Sequence, residues 1–142
     1  MTVWTLVFSD PEPMGDNPTR RVRALYWLLR RLKPGFRHVM AMRPADGGGW
    51  IIANWSSGRF DVIEHDGPVD IGGERFGDYG DFIAALEDDG LATTCTREAR
   101  DGKTPFLRGP ATCVTAAKHL LGIRAPLAVT PWRLYRHLTG GT

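Results

Sequence analysis

The sequence is poor in several features that would narrow its function at once. It holds two cysteines in 142 residues, Cys95 and Cys113, too few for the disulfide framework of a small secreted scaffold, and both are expected to be reduced. No apolar run approaches the ~20 residues of a membrane-spanning helix, so no membrane partner is expected. Asp10, Glu12 and Asp16 follow the first apolar residues closely, which is not the pattern of a secretory signal, and the expected location at synthesis is the cytoplasm. A phosphate loop is also missing, because Gly47-Gly48-Gly49 lacks the lysine and following helix that give such glycines meaning. Aromatic residues do not alternate with Lys or Arg along a strand as a single-strand binding platform requires, so nucleic acid is not an expected partner. His65, Asp66 and Asp70 offer oxygen and nitrogen ligands but no recognised metal-ligand spacing, and neither a metal nor another cofactor is expected.

There are no repeats, low-complexity tracts or linkers, so residues 1–142 read as one domain. An apolar fraction of 42%, with 17 glycines and 10 prolines, describes a globular, turn-rich chain. The net charge of +2 hides an uneven distribution. Residues 1–43 carry eight Lys/Arg against three Asp/Glu, residues 44–90 carry two against eleven, and residues 91–142 carry eight against two. A basic face opposite an acidic one would suit a polyanionic or assembly partner; the plainer account is that both sets are simply solvated.

Periodicity predicts a first strand over Val3 to Phe8, closed by Ser9-Asp10-Pro11-Glu12-Pro13. Asn17-Pro18 then reads as an N-cap and first helical position, leading into a helix from Thr19 to Leu32 with Val22, Leu25, Tyr26, Leu29 and Leu32 on one stripe. The arginines Arg20, Arg21, Arg23, Arg30 and Arg31 wrap around it. Strands over Arg37 to Arg43, Trp50 to Trp55 and Phe60 to Glu64 form an antiparallel meander, and His65 to Gly77 reads as loop. A helix from Asp78 to Leu86 follows, then a hairpin of Leu91 to Arg97 with Thr104 to Leu107 around Asp101-Gly102. Two helices close the chain, one from Thr112 to a glycine cap at Gly122 and one beginning at Thr130-Pro131. The class is α+β, an antiparallel sheet with packed helices.

The chemistry is expected at Cys113. It follows Gly109-Pro110-Ala111-Thr112 and falls in the first turn of a helix, where free N–H groups and the helix dipole favour a thiolate. A nucleophile needs a base, and His38 stands at the mouth of a short strand. Asn54, one strand on, is a candidate to hold one imidazole nitrogen and fix its tautomer, with Asp61 on the following strand as the alternative. The plainer accounts are a packed cysteine, a strand-edge histidine and a turn-starting asparagine. His119 falls on another face of its helix, His137 at a basic helix end, and Cys95 in mid-strand between threonines. On the last helix Leu134 and Leu138 form a stripe, leaving Trp132, Arg133 and Arg136 as a candidate docking surface unless Trp132 folds back over the Cys113 helix.

Phe36-Arg37-His38-Val39, Trp50-Ile51-Ile52-Ala53-Asn54-Trp55, Gly109-Pro110-Ala111-Thr112-Cys113-Val114 with Lys118 and Leu121-Gly122-Ile123, and Thr130-Pro131-Trp132-Arg133-Leu134-Tyr135 together resemble small phage-encoded proteins of the permuted papain-like type, related to the NlpC/P60 cysteine peptidases. The resemblance covers residues 36–64 and 104–138. It implies a papain-like arrangement in which the histidine strand precedes the cysteine helix, with Cys113 as nucleophile, His38 as base and Asn54 as the polar orienter. The implied activity is thiol-dependent hydrolysis or acyl transfer on an amide or ester, with cell-wall peptide as substrate. Thr112-Cys113-Val114 stands where Asp-Cys-Ser is common in unpermuted members. The departure leaves open an inactive phage assembly protein that keeps the scaffold, is associated with the virion, and binds virion or tail proteins.

Overall fold

The computed structural model describes residues 2–11, 16–56, 59–100 and 112–141. Its elements are β1 (Val3–Ser9), α1 (Arg20–Leu29), β2 (His38–Pro44), β3 (Trp50–Ser56), β4 (Arg59–His65), β5 (Val69–Ile71), β6 (Glu74–Phe76), α2 (Tyr79–Asp88), β7 (Ala92–Glu98), α3 (Cys113–Leu121) and α4 (Pro131–Thr139). Five strands form one antiparallel sheet in the order β4-β3-β2-β1-β7, so the mixed α+β class expected from the sequence holds. The strand expected over Thr104 to Leu107, its turn and the Gly109-Pro110 turn lie outside the described residues.

Alternation along the strands divides the core in two. Trp4, Leu6, Phe8, Val39, Ala41, Ala53 and Cys95 face one way and pack with Val114, Ala117 and Leu121 of α3 and Leu134 of α4. Val7, Met42 and Ile52 face the other way and pack with Ile83 of α2. Small residues at Ala41, Ala53 and Ala117 on the first face allow α3 to lie close across β2 and β3. Phe8, Phe36, Trp132 and Tyr135 make an aromatic cluster beside it, with Phe36 and Trp132 edge-on at 4.8 Å and the Lys33 ammonium 3.2 Å from the Trp132 ring centre. Trp132 therefore folds back, but against Phe36 at the entrance to β2 and with no described ring contact to α3.

The clearest departures from the sequence expectation are at α1 and in the stretch after β4. Thr19, not Asn17, caps α1, its hydroxyl accepting from Val22 N at 3.3 Å, and α1 ends at Leu29. No residue of α1 is buried, so its apolar stripe is not a core stripe. The stretch His65 to Gly77 contains the β5–β6 hairpin. Its turn is Gly72-Gly73 with φ of +63° and +83°, and two successive positive φ values are what a two-residue primed turn demands. At the base of the excursion that carries α1, the Asp10 carboxylate accepts from Gly35 N at 2.9 Å and from Arg37 Nη1 at 3.3 Å.

Gly122 ends α3 at φ +62°, and a Cβ there would stand 2.8 Å from the Arg100 carbonyl oxygen. Gly122→Ala is expected to lower stability by about 1–2 kcal/mol for the left-handed backbone alone, and more for the clash. Urea unfolding followed by far-UV circular dichroism reads this directly; an unchanged midpoint would refute it.

Candidate thiol site where β2 and β3 part

The β1–β2 ladder runs on to Ser9–His38, whereas the β2–β3 ladder stops at Ala41–Ala53. Toward His38 the two strands therefore part while β3 stays paired to β4 as far as Ser56–Arg59. Across this parting His38 Nε2 and Asn54 Oδ1 make a 2.7 Å hydrogen bond. With the amide oxygen as acceptor, Nε2 carries the proton and Nδ1 keeps its lone pair, the form a general base needs. Asp61 lies directly opposite Asn54 in the β3–β4 register, but its carboxylate is taken by the Arg59 guanidinium at 3.0 Å.

Cys113 reaches the same place from the other side. Thr112 and Thr115 form a reciprocal capping box, the Thr112 hydroxyl accepting from Thr115 N at 3.2 Å and the Thr115 hydroxyl from Thr112 N at 2.7 Å. That box fixes the first turn of α3 and leaves Cys113 at its first position. The backbone N–H groups of Val39, the residue after His38, of Val114 and of Cys113 itself are near enough to the sulfur to favour its charged form. Thiol and imidazole are thus anchored at consecutive residues of one strand. By alternation, however, Val39 faces α3 whereas His38 and Asn54 fall on the side of Met40 and Ile52. Among the described hydrogen bonds none joins Sγ to the ring.

Burial pushes the Cys113 thiol up, and the three N–H donors only partly offset it. The sequence expectation of a thiolate stabilised by the helix N-terminus is corrected in this respect, since desolvation outweighs the N–H groups around the sulfur. Burial also lowers His38, against the opposing effect of the Asn54 hydrogen bond. Both shifts favour the neutral forms, so the resting pair is thiol and free imidazole. Cys95 is buried in the core, and burial likewise raises its thiol, opposed by Arg97.

Beside Cys113 runs a narrow apolar cleft between α3 and the sheet, too tight to hold a water molecule, with Ala116 and Leu120 on one side and Ala53, Trp55 and Phe60 on the other. Trp55 and Phe60 stack at 6.1 Å along its outer edge. The sequence reading missed this wall; Trp55 and Phe60, one residue beyond and one before the Asn54–Asp61 pair, were the signal for it. His119 and His137 are exposed, and His65 sits 6.0 Å from Tyr79, remote from the thiol in the fold. Among the described residues no three of His, Cys, Asp and Glu are grouped to hold a metal ion. Compared with known proteins, the chain matches no family model, no curated protein and no solved structure.

The lowered His38 pKa has a thermodynamic sign. As pH falls through the ordinary value of 6.5 the unfolded chain takes up a proton that the folded chain still refuses, so stability drops on acidification between 6.5 and the lower folded value. His38→Gln should show a smaller loss of unfolding free energy than wild type between about pH 7.5 and about pH 5.5. Equal losses in urea titrations at the two pH values would contradict a buried, neutral His38.

Proposed function

We propose that the chain is a thiol-dependent hydrolase or acyltransferase acting on an amide or ester, built on a permuted papain-like arrangement in which the histidine strand precedes the cysteine helix. The observation that carries this reading is the 2.7 Å His38–Asn54 hydrogen bond, made one residue before Val39, whose backbone N–H favours the charged form of Cys113. In the proposed step the His38 ring turns from the Met40 side of the sheet toward α3, and its Nδ1 takes the Sγ proton as the sulfur bonds to the acyl carbon. The proton passes to the leaving amine or alkoxide as the old bond breaks, and the acyl group remains on Cys113. Water, or another nucleophile, then gives its proton to His38 as it bonds to the acyl carbon; the carbon–sulfur bond breaks, the acyl product leaves, and the proton returns from His38 to Sγ. The Cys113 N–H supplies one donor for the tetrahedral oxyanion. Cell-wall peptide is the substrate class the resemblance favours.

A second reading rests on a specific observation. A protonated thiol without a hydrogen bond to the imidazole, in a cleft closed to water, suits a scaffold that has kept the fold and lost the chemistry. Such a chain would serve as a binding module in virion or tail assembly.

p-Nitrophenyl acetate separates the two, because acyl transfer to sulfur needs no peptide recognition. The enzyme reading expects a burst of nitrophenolate and one acetyl group on Cys113 by peptide mass mapping. Cys113→Ala should remove the burst, and His38→Ala should slow it by about 10²–10⁴-fold. Asn54→Ala should leave a measurable remnant, because an orienter biases the ring without exchanging the proton. Acetylation of Cys95 in preference to Cys113, or a rate indifferent to His38, would refute the mechanism and leave the binding module.

A further inference from the structure

Two surfaces of this chain are each left uncovered, and they are complementary. Helix α1 buries none of its residues; Trp27 is 58% exposed and Leu28 56%, with Leu25 beside them. Arginines flank this apolar strip, with Arg20, Arg21 and Arg23 before it and Arg30 and Arg31 after it, and no acid occurs between Asp16 and Asp46. The Arg31 guanidinium lies 3.9 Å from the centre of the Trp27 ring and holds the indole outside the fold. An isolated ten-residue helix is marginal in water without tertiary packing, so a helix that packs so little on its own chain gains most from a surface elsewhere.

That surface is present at the far side of the sheet. Strand β4 is an edge, and its apolar residues are exposed on both sides of the pleat, with Val62 at 57%, Ile63 at 53% and Phe60 at 41%. Proteins protect such edges by charge, by proline or by laying a helix over them. The residues that follow hold four exposed acids, Glu64, Asp66, Asp70 and Glu74, against one exposed base, Arg75, which stands opposite Asp70 in the β5–β6 register. The described ion pairs are Arg37–Asp10 and Arg59–Asp61, so these four acids and the α1 arginines form none with another described residue. α1 rises from the Ser9–His38 end of the sheet and the acidic segment leaves β4 at the opposite end, where His65 pairs with Trp50.

We infer that the occupant of each surface is a second copy of this chain, with the basic, apolar α1 of one molecule covering the β4 edge and acidic β4–β6 segment of the next. The contact joins two different patches. It is therefore heterologous, and it builds head-to-tail chains or closed rings in place of a two-fold dimer. The inference is independent of the chemistry at Cys113.

Sedimentation velocity on the intact chain tests it. The wild type should form species heavier than monomer that grow with protein concentration and disperse at high salt, where charge attraction is screened. Arg20→Glu/Arg23→Glu/Arg30→Glu on α1 and Glu64→Arg/Glu74→Arg on the acidic surface should each be monomeric. Mixed, the two variants carry opposite charges at both junctions, so they should assemble again, with every contact joining one variant to the other. Circular dichroism confirms that each is folded, and Leu28→Ser, which changes no charge, is expected to weaken assembly if a charge reversal unfolds the chain. A wild type that stays monomeric at every concentration and salt overturns the inference. So does assembly that survives in both variants, or a monomer whose α1 binds anionic vesicles or RNA instead.

Discussion

The seating of α3 on β1, β2 and β3 is the contact on which the rest of the structure depends. Leu6, Phe8, Leu121 and Leu134 retain no exposed surface, and Val39, Ala41 and Ala53 supply the shallow floor beneath them. Burying a leucine or phenylalanine side chain contributes about 1.5–3 kcal/mol. Because the floor is made of alanines, the helix sits low, and the first turn of α3 is carried down to the backbone of β2. The sulfur of Cys113 lies against the Val39 N–H for that reason. Lys118 secures the other end, its ammonium donating to the carbonyls of Ala125 at 3.2 Å and Ala128 at 3.1 Å, which ties α3 to the segment leading into α4.

Closeness of packing also sets the electrostatics of the site. The same low seat that brings the thiol to β2 strips it of water, and desolvation then raises its pKa while lowering that of His38. Position and reactivity pull in opposite directions.

The legible parts of the fold were those whose signals are local. Glycine and proline punctuation around alternating apolar residues marked β1 to β4, and Thr112, Gly122 and Thr130-Pro131 marked α3 and α4 to within a residue. Thr19 escaped because Asn17-Pro18 presents a competing cap two residues earlier, and a cap is decided by which side chain reaches a free N–H in three dimensions. The β5–β6 hairpin was readable from Ile71-Gly72-Gly73-Glu74, whose strands are simply short. For the site, residue type and strand order brought His38 and Asn54 together, and Asp61 could be set aside only once Arg59 was seen to hold it. The side of the sheet on which an imidazole emerges, and the degree to which a thiol is desolvated, depend on register and packing that no local pattern encodes.

The Asp10 clamp separates two kinds of sequence change. With Ser9 paired to His38 and the Asp10 carboxylate bound to Gly35 and Arg37, the segment that carries α1 is held at the sheet at one point. Doubling the length of such an excursion costs only about 0.6 kcal/mol in closure entropy. Descendants of this chain can therefore lengthen, trim or rewrite the α1 segment while the sheet, α3 and the thiol site stay as they are. The α1 segment can diversify faster than the sheet and helix that carry Cys113.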